Sequence, residues 1–66
     1  MDNKEFIKEW KRFLLEIGRS ETQLSKEIGQ TQQVLNRKIK NASIRYVELA
    51  DIVEKYGYSI KIHKDQ

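Results

Sequence analysis

Four polar residues near the middle of the sequence have the spacing that brings side chains to one side of a helix. They occur at i, i+3, i+4 and i+7 and are Gln33, Asn36, Arg37 and Lys40. Amide side chains form paired hydrogen bonds with the edge of adenine, and a guanidinium does so with guanine. The set therefore predicts a surface that reads base edges, and the alternative is an ordinary solvated helix face. Gln32, at the first turn of the same helix, would also approach the bases.

Basic residues are concentrated around the same stretch. Residues 28–47 contain four basic side chains and no acidic one, whereas basic and acidic residues balance over 1–27. A local excess of positive charge suits a polyanion such as the DNA backbone, although chance clustering in a basic protein gives the same pattern. The expected phosphate contacts are Arg19, Ser20, Thr31, Lys38, Lys40, Asn41, Ser43 and Arg45.

The helices that would position these residues follow from apolar periodicity. A first helix is predicted over about 3–17, with its apolar stripe at Phe6, Ile7, Trp10, Phe13, Leu14 and Ile17. We interpret Trp10 as a core residue rather than a base-stacking platform. An amphipathic stretch also precedes each glycine of the sequence, so we expect helices to end at Gly18, Gly29 and Gly57.

Two short helices and a glycine-containing turn form the central unit, residues 20–40. The predicted caps, in chain order, are Ser20 with Gln23 as a capping box, Gly29, Thr31, and Asn41 in the left-handed conformation. The inward apolar positions are Leu24, Ile28, Leu35 and Ile39. The small Ser25 lets the two helices approach closely. Two helices joined in this way make a helix-turn-helix unit.

A fourth helix and a terminal strand complete the predicted elements. The helix begins near Ser43 or Ile44, with Ser43 as its N-cap, and its solvated face carries Glu48, Asp51 and Glu54. Residues 58–64 alternate between apolar and polar, which predicts a β-strand. Because a lone strand leaves its backbone groups unpaired, we expect it to pair with the same strand of a second chain. That dimer interface would contain Tyr58, Ile60 and Ile62.

Residues 20–40, SETQLSKEIGQTQQVLNRKIK, resemble the lambda-repressor-like (Cro/XRE-type) helix-turn-helix family. The family often shows Thr-Gln-x-x-Leu-Ala-x-x-x-Gly followed by Ser/Thr-Gln-x-x-Ile/Leu. Here Glu21 stands where that glutamine often sits, Ser25 replaces the alanine, and Thr31-Gln32 matches the second half. Residues 43–58 are similar to the ending of small XRE-type regulators of phages and mobile elements.

The resemblance implies a single compact all-α domain of four to five helices over residues 1–66, which binds operator DNA as a homodimer. It places Gln32, Gln33, Asn36 and Arg37 at the base-contacting positions of the family. The short C-terminal strand, 58–64, would pair across the dimer and set two recognition helices about 34 Å apart on a palindromic operator. The expected function is a sequence-specific transcriptional regulator, with repression as the favoured mode.

Other classes of function have less support from the residues. One histidine, no cysteine and no glycine-rich phosphate loop lead us to expect no enzyme, no metal site, no cofactor and no small-molecule ligand. Without a long apolar run or a signal-peptide pattern, we expect no membrane partner and a cytoplasmic location. The open alternatives are an antitoxin-like or anti-repressor protein-interaction module, and a small architectural or excision factor of a mobile element.

Overall fold

The computed structural model describes residues 2–60, which form four α-helices. They are α1 Asn3–Ile17, α2 Glu21–Glu27, α3 Gln32–Lys40 and α4 Tyr46–Glu54. No strand occurs among these residues, so the predicted all-α class is confirmed for this part of the chain, and its four helices fall within the expected four to five. Within it, no helix combines the length and the apolar character that crossing a membrane requires.

Side-chain caps fix the starts of α2 and α3 as predicted. The Ser20 hydroxyl accepts a hydrogen bond from the Gln23 amide at 3.1 Å, and Gln23 Oε1 accepts one from the Ser20 amide at 2.9 Å. Thr31 Oγ1 accepts a hydrogen bond from the Val34 amide at 3.2 Å. Such a cap pairs an amide that the helix itself leaves unpaired and contributes about 1 kcal/mol.

All four helices end in the same backbone motif, in which a left-handed residue follows the last turn. After α1, α2 and α4 that residue is a glycine, as predicted: Gly18, Gly29 and Gly57. After α3 it is Ala42, with φ 50°. The Ala42 amide donates to Ile39 O at 3.0 Å, and the Ser43 amide donates to Lys38 O at 2.8 Å. Asn41 has φ −92°, so the prediction of a left-handed Asn41 was wrong by one residue.

The fourth helix begins later than predicted, at Tyr46 rather than near Ser43 or Ile44. The Ser43 amide is already bonded to α3, so this residue belongs to the end of α3. Arg45 occupies the N-cap position of α4 and forms no side-chain capping bond. The assignment of Ser43 as the N-cap of the fourth helix was therefore wrong.

The core draws residues from all four helices. Its buried apolar residues are Trp10, Phe13, Leu24, Leu35, Ile39, Ile52 and Val53. Both Leu24 and Leu35 are 0% exposed. The inward pair of α3 and the core role of Trp10 are thus confirmed. Because truncating a buried leucine to alanine costs about 2–5 kcal/mol, Leu35 strongly fixes which side of α3 faces inward.

After α4 the chain returns to the core. The Tyr58 ring meets Phe13 edge-on with 5.2 Å between ring centroids, and Ile60 is partly buried against the core. Tyr46 Oη donates a hydrogen bond to Ile60 O at 3.0 Å. Residues 58–60 contain no strand. The rest of the predicted strand, including Ile62, lies outside the described residues, so the strand stays a prediction.

Candidate nucleic-acid interface

The helix α3 is held on α2 by a packed unit that runs from Ser20 to Lys40. Leu24 and Leu35 are fully buried, and Ser25, which is 1% exposed, keeps a polar side chain in the interior. The Ser25 hydroxyl is satisfied because it donates to Thr22 O at 2.7 Å. In the turn, Gly29 has φ 78°, a conformation that glycine adopts without the steric cost of a Cβ. These contacts give α3 a fixed position on the surface of the domain.

The outward side of α3 consists of exposed amide and cationic side chains. All four residues of the predicted stripe are exposed: Gln33, Asn36, Arg37 and Lys40. The helix contains no acidic residue, and its last turn is basic. Arg37 lies two residues from both Leu35 and Ile39, so at 100° per residue it projects opposite the buried pair. The surface that the spacing predicts is therefore present, whereas its contact with bases stays a prediction.

Gln32 is tied to the other helices through Glu21. Gln32 Nε2 donates to Glu21 Oε1 at 3.0 Å, while Glu21 Oε2 accepts a hydrogen bond from Trp10 Nε1 at 3.0 Å. One carboxylate thus joins α1, α2 and α3 and orients the amide at the first turn of α3. The sequence interpretation missed this role, because the two partners of Glu21 lie 11 residues away on either side.

Lys38 is paired with a carboxylate of α4. Lys38 Nζ lies 2.9 Å from Glu48 Oε2, and Gln30 Nε2 donates to the same oxygen at 3.1 Å. The hydrogen bond from Lys38 is the main cause that holds the pKa of Glu48 below its ordinary value. Glu48 was predicted on a solvated face, which was wrong: its carboxylate links α4 to α3 and to the turn before α3. A phosphate would have to compete with Glu48 for Lys38.

Arg19 forms a second cluster at the corner between α1 and α2. Its Nε lies 2.9 Å from both carboxylate oxygens of Glu27, and its guanidinium lies 5.2 Å from the centre of the Tyr56 ring. Tyr56 Oη also donates to Glu27. The bonds from Tyr56 and then Arg19 lower the pKa of Glu27, while burial and then Glu27 raise the pKa of Tyr56. Arg19 thus fastens the corner to the end of α4.

The remaining predicted phosphate contacts lie near the two ends of α3 and before α2. The hydroxyls of Ser20 and Thr31 accept capping bonds, and each hydroxyl keeps a proton to donate. Asn41, Ser43 and Arg45 are exposed in the segment between α3 and α4. The exposed groups around α3 can thus donate hydrogen bonds and attract anions.

Residues 2–60 contain no group of three or more metal-binding side chains.

No family model, no curated protein and no solved structure matches this chain. The resemblance to the lambda-repressor-like family therefore rests on the residues quoted for it, and it stays a prediction.

Proposed function

We propose that this chain binds double-stranded DNA with α3 in the major groove and acts as a sequence-specific transcriptional regulator. The observation that carries the proposal is the exposed, acid-free side of α3 on a fixed helical scaffold. An α-helix with its side chains is about 10–12 Å across, and the major groove is about 12 Å wide. With Leu35 and Ile39 buried, the side of α3 that would enter the groove is the polar one.

The polar side chains at this surface have two proposed roles, contact with bases and contact with phosphates. Arg37 projects most directly outward, and its guanidinium suits the paired acceptors of guanine. Gln33 and Asn36 carry the amides that pair with adenine, and Gln32 stands at the first turn of the helix. Lys40 and Arg45 are the phosphate contacts on which the proposal rests most, because a carboxylate partner already binds Lys38 and Arg19.

Duplex binding measured at several salt concentrations tests the proposal. We expect the affinity to fall steeply as salt rises, because each neutralised phosphate contributes about −0.9 to the slope of log affinity against log salt. Arg37→Ala should cost about 1–3 kcal/mol and relax preference at one base pair. Lys40→Ala should weaken all sequences about equally and lower the salt slope by about 1. The reverse pattern would mean that Lys40 contacts a base and Arg37 contacts a phosphate.

We also propose that two copies bind a palindromic operator, because a single helix reaches few base pairs. The described contacts of Tyr58 and Ile60 lie within one chain, so these do not by themselves support the pairing of strands across a dimer. Removing residues 59–66 should give a monomer with weaker operator affinity, as measured by sedimentation and by DNA titration. A truncated chain that remains dimeric refutes a dimer made by the terminal strand.

A protein-interaction module is the second candidate, since large apolar side chains are exposed away from α3. Leu15 on α1 is 83% exposed, and Val47 on α4 is 69% exposed. Apolar anchors of this kind are used by protein interfaces, whereas the outward side of α3 has none. The salt series separates the two candidates. If the chain shows no affinity for duplex DNA even at low salt, the DNA proposal fails and the protein-binding candidate gains.

A further inference from the structure

A groove runs between α3 and α1, on one side of the surface proposed to enter DNA. Its lining residues are Ile7, Lys11, Asn36, Ile39 and Lys40. Lys11 and Lys40 are both exposed, and they approach the groove from different helices. Two cations that approach one groove from different helices make a suitable site for an oxygen anion.

The other side of α3, next to α4, has a different balance of charge. The groove there is lined by Lys38, Ser43, Arg45, Val47, Glu48 and Asp51. Its two basic residues are matched by two acidic ones, and Lys38 is already paired with Glu48 at 2.9 Å. The attraction for an anion is therefore weaker on this side, because two carboxylates line the groove and one of them already binds Lys38. The two sides of α3 are electrostatically unequal.

The acidic residues of α1 gather on the side of the helix that faces α4. Glu5 and Glu9 line a third groove together with Lys8, Leu49 and Ile60. Arg12 lies 3.7 Å from Glu9, which draws that cation to the acidic side as well. Lys11 is thus separated from the carboxylates of its own helix. Lys8 lies one turn away, is also exposed, and borders two carboxylates.

We propose that Lys11 of α1, together with Lys40, holds a backbone phosphate of the DNA strand that borders the major groove on the α1 side. The inference rests on the proposed function. A helix that fills a groove about 12 Å wide brings its flanking elements against the two strands that form the walls. On the α1 side that flanking element presents Lys11. The contact fixes the position of the domain on DNA without reading sequence.

The test compares four proteins for binding to a mixed-sequence duplex, followed by fluorescence anisotropy over a series of salt concentrations. They are the wild type, Lys11→Gln, Lys11→Arg and the matched control Lys8→Gln, which removes the same charge from the same helix. Counterion release at one phosphate predicts roughly eight-fold weaker binding of Lys11→Gln at about 0.1 M salt. Its salt slope should fall by about 0.9, whereas Lys8→Gln should keep the wild-type slope. Lys11→Arg should bind like the wild type.

The outcomes separate this inference from the proposed function. If the wild type binds, and Lys11→Gln and Lys8→Gln show equal losses of affinity and equal reductions of the salt slope, the phosphate contact of Lys11 is refuted. The groove-reading role of α3 then survives. If the wild type binds no duplex at low salt, both fail. Thermal unfolding of each variant provides the control for folding. Both lysines are exposed, so we expect unchanged unfolding midpoints.

Discussion

Replacing Ala42 by glycine should stabilise the domain. Ala42 occupies the left-handed position after α3 with φ 50°, where the other three helices have glycine. That conformation costs an L-residue about 1–2 kcal/mol because its Cβ meets the following carbonyl oxygen. Glycine avoids this cost, but it loses more backbone freedom on folding, which cancels about 0.5–1 kcal/mol of the stabilisation. We expect the free energy of unfolding to rise by about 0.5–1 kcal/mol, which corresponds to a rise of about 2–8 °C in the midpoint of thermal unfolding.

Gly29→Ala is the matched reverse change. A Cβ built at Gly29 has no neighbouring atom within 4 Å, so the substitution changes backbone strain without a clash. With φ 78°, it should lose about as much stability as Ala42→Gly gains. Thermal and urea unfolding, followed by circular dichroism, measure both variants under the same conditions. A neutral or destabilising Ala42→Gly, beside a destabilising Gly29→Ala, would refute the idea that residue 42 carries this strain.

Two further variants test the links that position α3. Glu48→Gln should lower stability by roughly 0.5–1 kcal/mol at neutral pH, because it removes the ionised partner of Lys38. The pKa of Glu48 is lowered in the folded protein, so the stability difference between wild type and Glu48→Gln should be fully present above about pH 4.5. It should shrink as the pH falls through the folded pKa and vanish below that pKa. Urea unfolding at a series of pH values measures this difference. Glu21→Ala should lower stability by about 1–3 kcal/mol, because it leaves Trp10 Nε1 without its carboxylate partner, and should shift the tryptophan fluorescence. Unchanged stability and emission would contradict the assigned role of Glu21.

Local patterns in the sequence were sufficient to predict most of the helices and the exposed side of α3. The cap residues Ser20 and Thr31 act on amides three residues away, so their spacing along the chain already defines the bond. The inward direction of α3 follows from Leu35 and Ile39, which are one turn apart. For the same reason, the exposure of Gln33 and Arg37 could be predicted without knowledge of the fold.

Contacts between helices could not be predicted in the same way. Lys38 with Glu48 and Trp10 with Glu21 are each separated by at least 10 residues, so their pairing depends on how the helices pack. The left-handed residue after α3 was assigned to Asn41 because asparagine tolerates that conformation better than alanine does. In the structure, the backbone bonds from Ala42 and Ser43 to α3 place the left-handed residue one position later, and α4 begins only at Tyr46.

Selection of bound sites from random duplex DNA tests most directly the claim that α3 reads a major groove. We predict enrichment of a short sequence in two inverted copies, with centres about 10 base pairs apart or a multiple of that spacing. In a parallel selection, Arg37→Ala should lose its preference at one position of each copy and keep the others. If the wild type enriches no sequence, or if Arg37→Ala selects the same sites with the same stringency, the central claim is contradicted.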